Sequence, residues 1–123
     1  MEIEEKIYQS LLNDPEVSRI VGKKIYYLIA PPRDEAPVPL LVYSAPMNIG
    51  GDLSGLNNIE NGRIEIDAMA INREDLFKLR RAVINAIDKG LMPLSSNRDG
   101  GLYDPVERLY IETIFFMIQH NTQ

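Results

Sequence analysis

The sequence predicts an α+β fold: a single layer of about four mostly antiparallel strands with two to three helices packed on one face. Three observations predict it. Apolar residues recur at helical spacing within 2–13, 15–21 and 72–90. The stretches 24–29, 40–44, 63–71 and 107–118 are β-branched and aromatic, or alternate apolar with polar. Their order is helix, helix, strand, strand, strand, helix, strand, which groups the helices rather than alternating them.

In the first helix, Ile3, Ile7 and Leu11 form a stripe that Tyr8 and Leu12 widen. Then comes "NDPEVSRIVG". Asp14 can cap a short helix over 15–21, Pro15 suits its first position, and Gly22 can take the left-handed closing conformation. "KIYYLI" (24–29) reads as a strand, and "LLVYS" (40–44) as another. Between them "APPRDEAPVP" holds four prolines, which excludes helix or central strand and predicts a stiff, extended connection.

Residues 45–62, "APMNIGGDLSGLNNIENG", are rich in Gly and Asn and predict a long, flexible loop. "RIEIDAMAI" (63–71) is the third strand. Ile64, Ile66, Ala68 and Ala70 make its apolar face, and Arg63, Glu65 and Asp67 point the other way. The last helix opens at Asn72, a good N-cap, carries Glu74 and Asp75 in its first turn, and is predicted to end at Gly90. Leu76, Leu79, Val83, Ala86 and Ile87 form its stripe, and Phe77 and Ile84 broaden it beyond what one sheet covers. The first helix or another subunit should meet the surplus. Residues 91–106 read as irregular, with "NRDGG" a turn. The final strand, 107–118, becomes apolar on both sides after Thr113, predicting cover on both sides at that end. Residues 119–123 should fray. With 123 residues and no internal repeat, one domain spanning 1–123 is expected.

Composition narrows the function. The chain is 45% hydrophobic and 25% charged, with a formal net charge of −5. Residues 1–62 carry five basic and nine acidic side chains, and 63–123 carry eight and nine, so neither half is basic. Sequence-independent binding to nucleic-acid phosphates is not expected. No apolar run reaches the ~20 residues of a membrane span. The start "MEIEEKIYQ" is acidic and unlike a secretory signal. Without cysteine there is no disulfide, thiolate nucleophile or Cys-based metal site.

Catalytic motifs are lacking. His120, the sole histidine, lies four residues from the end, where a solvated tail histidine is the expectation. "IGGDLSGLNN" has glycines but no phosphate-loop lysine, and no serine stands in a nucleophile-elbow setting. Glu65 and Asp67 share a strand face and in principle suit a divalent cation or acid–base work. Arg63 beside them, with Glu112 or Arg108 on a neighbouring strand, favours an ion-pair ladder instead. Arg80 falls inside the apolar arc of its helix, between Leu76, Ile84 and Ile87. It is expected to snorkel or, alternatively, to pair with a carboxylate within the fold or across a subunit boundary. Tyr26, Tyr27, Tyr43 and Tyr110 read as sheet packing. A ligand-binding or hydrolytic domain using Glu65, Asp67 and Arg80 is the rival class of function.

The segments "IYQSLLNDPEVSRIVGKKIYYLIAPP", "VPLLVYS" and "GRIEIDAMAINREDLFKLRRAVINAI" resemble tail-completion or tail-terminator proteins of long-tailed bacteriophages and prophages, minor tail proteins of the head–tail joining type. The resemblance runs from about residue 3 to 88, with the last strand also in place. It rests on element order and on a Val-Gly-Lys-x-Ile-Tyr junction followed by a proline break. It implies a structural, non-enzymatic protein of the virion tail, made in the bacterial host cytoplasm. Such proteins form a ring, usually a hexamer, on the tail tube. They stop its polymerisation and join it to the head-completion or connector protein, while DNA passes through without specific binding. It implies no catalytic residue, cofactor, metal or membrane. Another neck or connector component is the alternative within that class. The family's long inter-strand loop faces the lumen or the tube, which makes Asn48, Asp52, Leu53, Leu56 and Asn57 candidate contacts. Arg63, Glu65, Asp67 and Arg80 are the candidates on the strand and helix.

Overall fold

A computed structural model describes residues 3–45, 47–48, 59–99 and 101–121. Three helices, α1 (Ile3–Leu12), α2 (Pro15–Val21) and α3 (Arg73–Leu91), pack on one mixed sheet. Its strands are β1 (Ile25–Tyr27), β2 (Leu40–Ser44), β3 (Met47–Asn48), β4 (Ile59–Ala70), β5 (Ser95–Arg98), β6 (Leu102–Asp104) and β7 (Leu109–Asn121). The lateral order is β1-β2-β4-β7-β5, with β3 beside β4 and β6 beside β7. Only the β1–β2 pair is parallel; the other described pairs are antiparallel.

The fold class is as expected, with more strands than the expected four. Caps form where predicted. Asp14 accepts from the backbone N–H of Glu16 and Val17, and Asn72 accepts from that of Asp75. Several boundaries differ. The β4–β7 ladder extends through Ile59↔Asn121, so "IENG" is strand rather than loop and the chain stays paired through Asn121 instead of fraying after Ile118. Cross-strand pairing outweighs the turn-like composition there. β3 likewise occupies 47–48 of the expected loop. Residues 95–98 and 102–104, expected to be irregular, are strands because they satisfy the outer backbone edge of β7. Helix α3 continues past Gly90 to Leu91 and closes on Met92 at φ 47°. The proline segment turns back on itself rather than extending: the Ala36 N–H donates to the Pro32 carbonyl at 2.9 Å.

The main core lies between helices and sheet. Ile3, Ile7 and Leu11 of α1 and Leu79, Val83 and Ile87 of α3 meet Leu41, Ile64, Ile66, Ile114 and Phe116. A smaller cluster on the other face joins Ala36 to Leu40 and Val42, with Met69 packed against it, so the proline segment covers one end of that face. Beyond it, among the described residues, that face carries the exposed Arg63 and the half-buried Glu65, Asp67, Thr113 and Phe115. Among the described residues the expected two-sided cover of β7 is partial: Phe115 is half-buried and Met117 is 37% exposed.

Tyr43 links layer to edge. Its ring centroid lies 6.5 Å from that of Tyr8 and 5.3 Å from that of Tyr27. Burial pushes its phenol above the ordinary tyrosine value, with Tyr8, Glu5, Tyr27 and Glu4 adding to the shift. The fold therefore favours the neutral phenol. That contribution is fully present below the unfolded pKa of about 10 and is lost as pH rises through the higher folded value. Tyr43→Phe should abolish this alkaline loss, so urea midpoints measured at about pH 8 and pH 11 should converge relative to the parent chain. An unchanged pH slope would place the titration elsewhere.

Candidate functional site

Arg63, Glu65 and Asp67 alternate with the buried Ile64, Ile66 and Ala68, so they share the sheet face away from the helices. Each is already engaged. Arg63 Nη2 donates to Glu65 Oε1 at 2.6 Å, and its guanidinium lies 5.1 Å from the Phe115 ring centre. Thr113 Oγ1 donates to Asp67 Oδ1 at 2.5 Å, across the Asp67↔Thr113 register pair. This is a same-strand ion pair plus a cross-strand hydrogen bond, not the expected ladder to Glu112 or Arg108.

Arg80 lies on the other side of the sheet. Its Nη1 donates to both Glu112 carboxylate oxygens, at 3.1 and 3.2 Å, and its guanidinium stacks 4.8 Å from the Phe77 ring centre. Glu112 is buried, with its side chain 2% exposed, against 23% for Arg80. Of the two readings of Arg80, the structure selects the pair within the fold. The sheet separates Arg80 from Glu65 and Asp67, so these three residues do not converge on one site.

Asn48 takes its place in β3 opposite Asn61. Asp52, Leu53, Leu56 and Asn57 lie outside the described residues, as does most of the expected loop 45–62. Backbone register sets His120 opposite Glu60. Among the described residues no cluster of three His, Asp or Glu groups suits a metal, and no buried side-chain polar atom lacks a partner. The groove between α2 and α3, about 410 Å³, is lined by charges that pair with each other: Arg19 with Glu16 at 2.7 Å, and Lys78 with Glu74 at 3.6 Å. Arg19 holds the exposed Glu16 carboxyl below its ordinary value. No helix is long and apolar enough to cross a membrane among the described residues.

Tyr27, Leu28 and Ile29 follow one another at the β1 edge, with Leu28 62% and Ile29 79% exposed. Phe77 is 50% exposed in the groove between α2 and α3. Contiguous exposed apolar residues of this kind mark interaction surfaces or ligand grooves. Sequence reasoning missed this edge because "KIYYLI" read as one continuous strand. The Leu28 turn at φ 67°, which ends pairing there, has no glycine to announce it.

No family model matches the chain, and no curated protein does. Among solved structures, a chain from "Virion of native gene transfer agent (GTA) particle" superposes with a TM-score of 0.67 at 16% identity. The match covers 95% of this chain and 92% of that one. The two chains share a fold. At this identity the likeness concerns backbone architecture, and it extends over nearly all of both chains.

Proposed function

We infer that this chain is a structural virion-assembly protein, a phage or prophage tail terminator. It caps the tail tube as a homo-oligomeric ring, a hexamer on the tail, stops tube polymerisation and joins the tube to the head-side connector. The observation that carries the reading is the near-complete likeness to a chain of a virion particle. The tail-terminator resemblance of the sequence supplies the specific role. The polar groups that a ligand-binding or hydrolytic site would use are split across the sheet or already paired. That favours an assembly part over an enzyme. A net charge of −5 suits a ring through which DNA slides. The sheet face around Arg63, Glu65 and Asp67 and the segment 45–62 are assigned to contacts with the tail tube protein or the head-side partner.

Deletion of the gene from the parent phage or prophage tests it. Tails of uncontrolled length, unattached to heads, are the expected outcome in electron micrographs. Normal-length tails joined to heads overturn the reading. Normal-length tails that lack heads point instead to a neck or connector component.

A further inference from the structure

A ring needs two different, complementary surfaces on each protomer, because head-to-tail contacts close only when one flank fits the other. We propose that these surfaces are the two lateral edges of the sheet, each with its overlying helix. The α1–β1 edge of one copy, through Glu4, Glu5 and Leu28, meets the α3–β5 edge of the next, through Arg73, Arg98 and Ile84. The proposal rests on the ring reading above and names its contact.

Register places the two edges at one level. Tyr27 pairs with Tyr43, Tyr43 with Ile66, Ile66 with Ile114, and Ile114 with Arg98. One lateral row thus runs from Tyr27 at one edge to Arg98 at the other. Neighbours set side by side along this row would bring the two ends together without a step.

Opposite charges stand on the two edges, with Arg98 on this row and Arg73 further along β7. Tyr8 of α1 packs 6.5 Å from Tyr43, the partner of Tyr27, and Glu4 and Glu5 stand about one turn before Tyr8 on the same helix, which brings them to this edge. Neither makes a salt bridge with a described residue. Lys24, at the other end of β1, is turned to the Pro37 carbonyl at 2.8 Å. On the far flank Arg73 and Arg98 are exposed, and neither has a carboxylate partner among the described residues. Arg73 rests 5.9 Å from the centre of the Tyr110 ring. Tyr110 lies four residues along β7 from Ile114, so Arg73 stands off the Tyr27–Arg98 row, at the level of β6, and the exposed Asp99 next to Arg98 carries the opposite charge. Apolar surface accompanies each charge set. Leu28 and Ile29 stand at the acidic edge, and Ile84 lines a cleft of about 250 Å³ with Arg98 at the basic one. Opposite charges flanking apolar contacts fix orientation as well as adhesion.

The absence of cysteine makes the test clean. Leu28→Cys and Asn97→Cys are introduced together into the full chain and treated at high protein concentration with a short bis-maleimide. The two positions sit on opposite edges of a sheet whose main path is five strands wide. That is roughly 19 Å at about 4.8 Å per strand, too far for a link within one copy. A covalent ladder beyond dimers is expected from the double variant, and none from either single variant. Glu4→Arg with Glu5→Arg should abolish the ladder, as should Arg73→Glu with Arg98→Glu. All four reversals together should restore it. Circular dichroism melts matching the parent show that each variant folds, since all these positions are at least partly exposed. No ladder, dimers from a single-cysteine variant, or a ladder indifferent to charge reversal would each overturn the contact. Normal-length tails after gene deletion, with the ladder intact, would sink the tail-terminator role and leave the contact standing.

Discussion

Arg80→Ala is expected to lower the free energy of unfolding by about 3–5 kcal/mol, the usual cost of stranding one member of a buried ion pair. The Glu112 carboxylate lies on the helix-facing side of β7, between Tyr110 and Ile114, and is the buried charged residue among those described. Arg80 satisfies both of its oxygens through one nitrogen. Without that nitrogen the carboxylate keeps its desolvation cost and loses its partner. The Arg80 stem and its stack on Phe77 go as well, which adds lost packing to lost charge.

Urea denaturation of Arg80→Ala beside the parent chain gives the measurement. A loss under about 1 kcal/mol, the range of exposed pairs, would mean that water reaches Glu112 and that the pair is a surface one. The paired variant Arg80→Met with Glu112→Leu separates cause from consequence. Replacing both members by apolar groups removes the stranded charge, so stability should return to near that of the parent or exceed it. If the double variant is as unstable as Arg80→Ala, packing around Phe77 rather than charge burial explains the loss.

Much of this fold was legible because short-range signals dominate it. Asp14-Pro15 and Asn72 carry cap chemistry that needs no tertiary partner, and both helices start there. Ile64, Ile66 and Ala68 alternate cleanly with charges, so the face of β4 was readable. The opposite holds for β5, whose "SSNR" has neither alternation nor β-branched residues; only the unpaired edge of β7 makes it a strand. The partner of Arg80 was hidden for a related reason. After Thr113, β7 is apolar on both faces, so its phase is ambiguous, and Glu112 read as a neighbour of Glu65 on the face away from the helices. Register with β4 decides it: Ala68 sits opposite Glu112 and faces the helices. Arg80 was conspicuous on its helix, but the carboxylate 32 residues away was not assignable without that pairing.

Gly90→Val is expected to cost about 2–3 kcal/mol, from overpacking where α1 crosses α3. A Cβ at Gly90 would lie 2.1 Å from Ser10 Oγ and 2.7 Å from Ser10 Cβ. The hydroxyl can rotate away, but the Cβ moves only if α1 moves. Valine adds two methyls on a stiff χ1, and a gain in helix propensity of a few tenths of a kcal/mol over glycine does not offset that. Gly90→Ala should cost less, because it recovers about 1 kcal/mol of propensity against the same first contact. Joining Gly90→Ala to Ser10→Gly should recover part of that cost, since the substitution removes the obstructing atoms. Urea midpoints of the three variants decide this, and parent-like stability in Gly90→Val would show that the helices have room to separate. The crossing also bears on assembly. Helix α1 carries Glu4 and Glu5, and its seat against α3 sets their height beside Tyr43. A variant that stays folded with α1 displaced should therefore weaken cross-linking between the two sheet edges, although Gly90 belongs to neither.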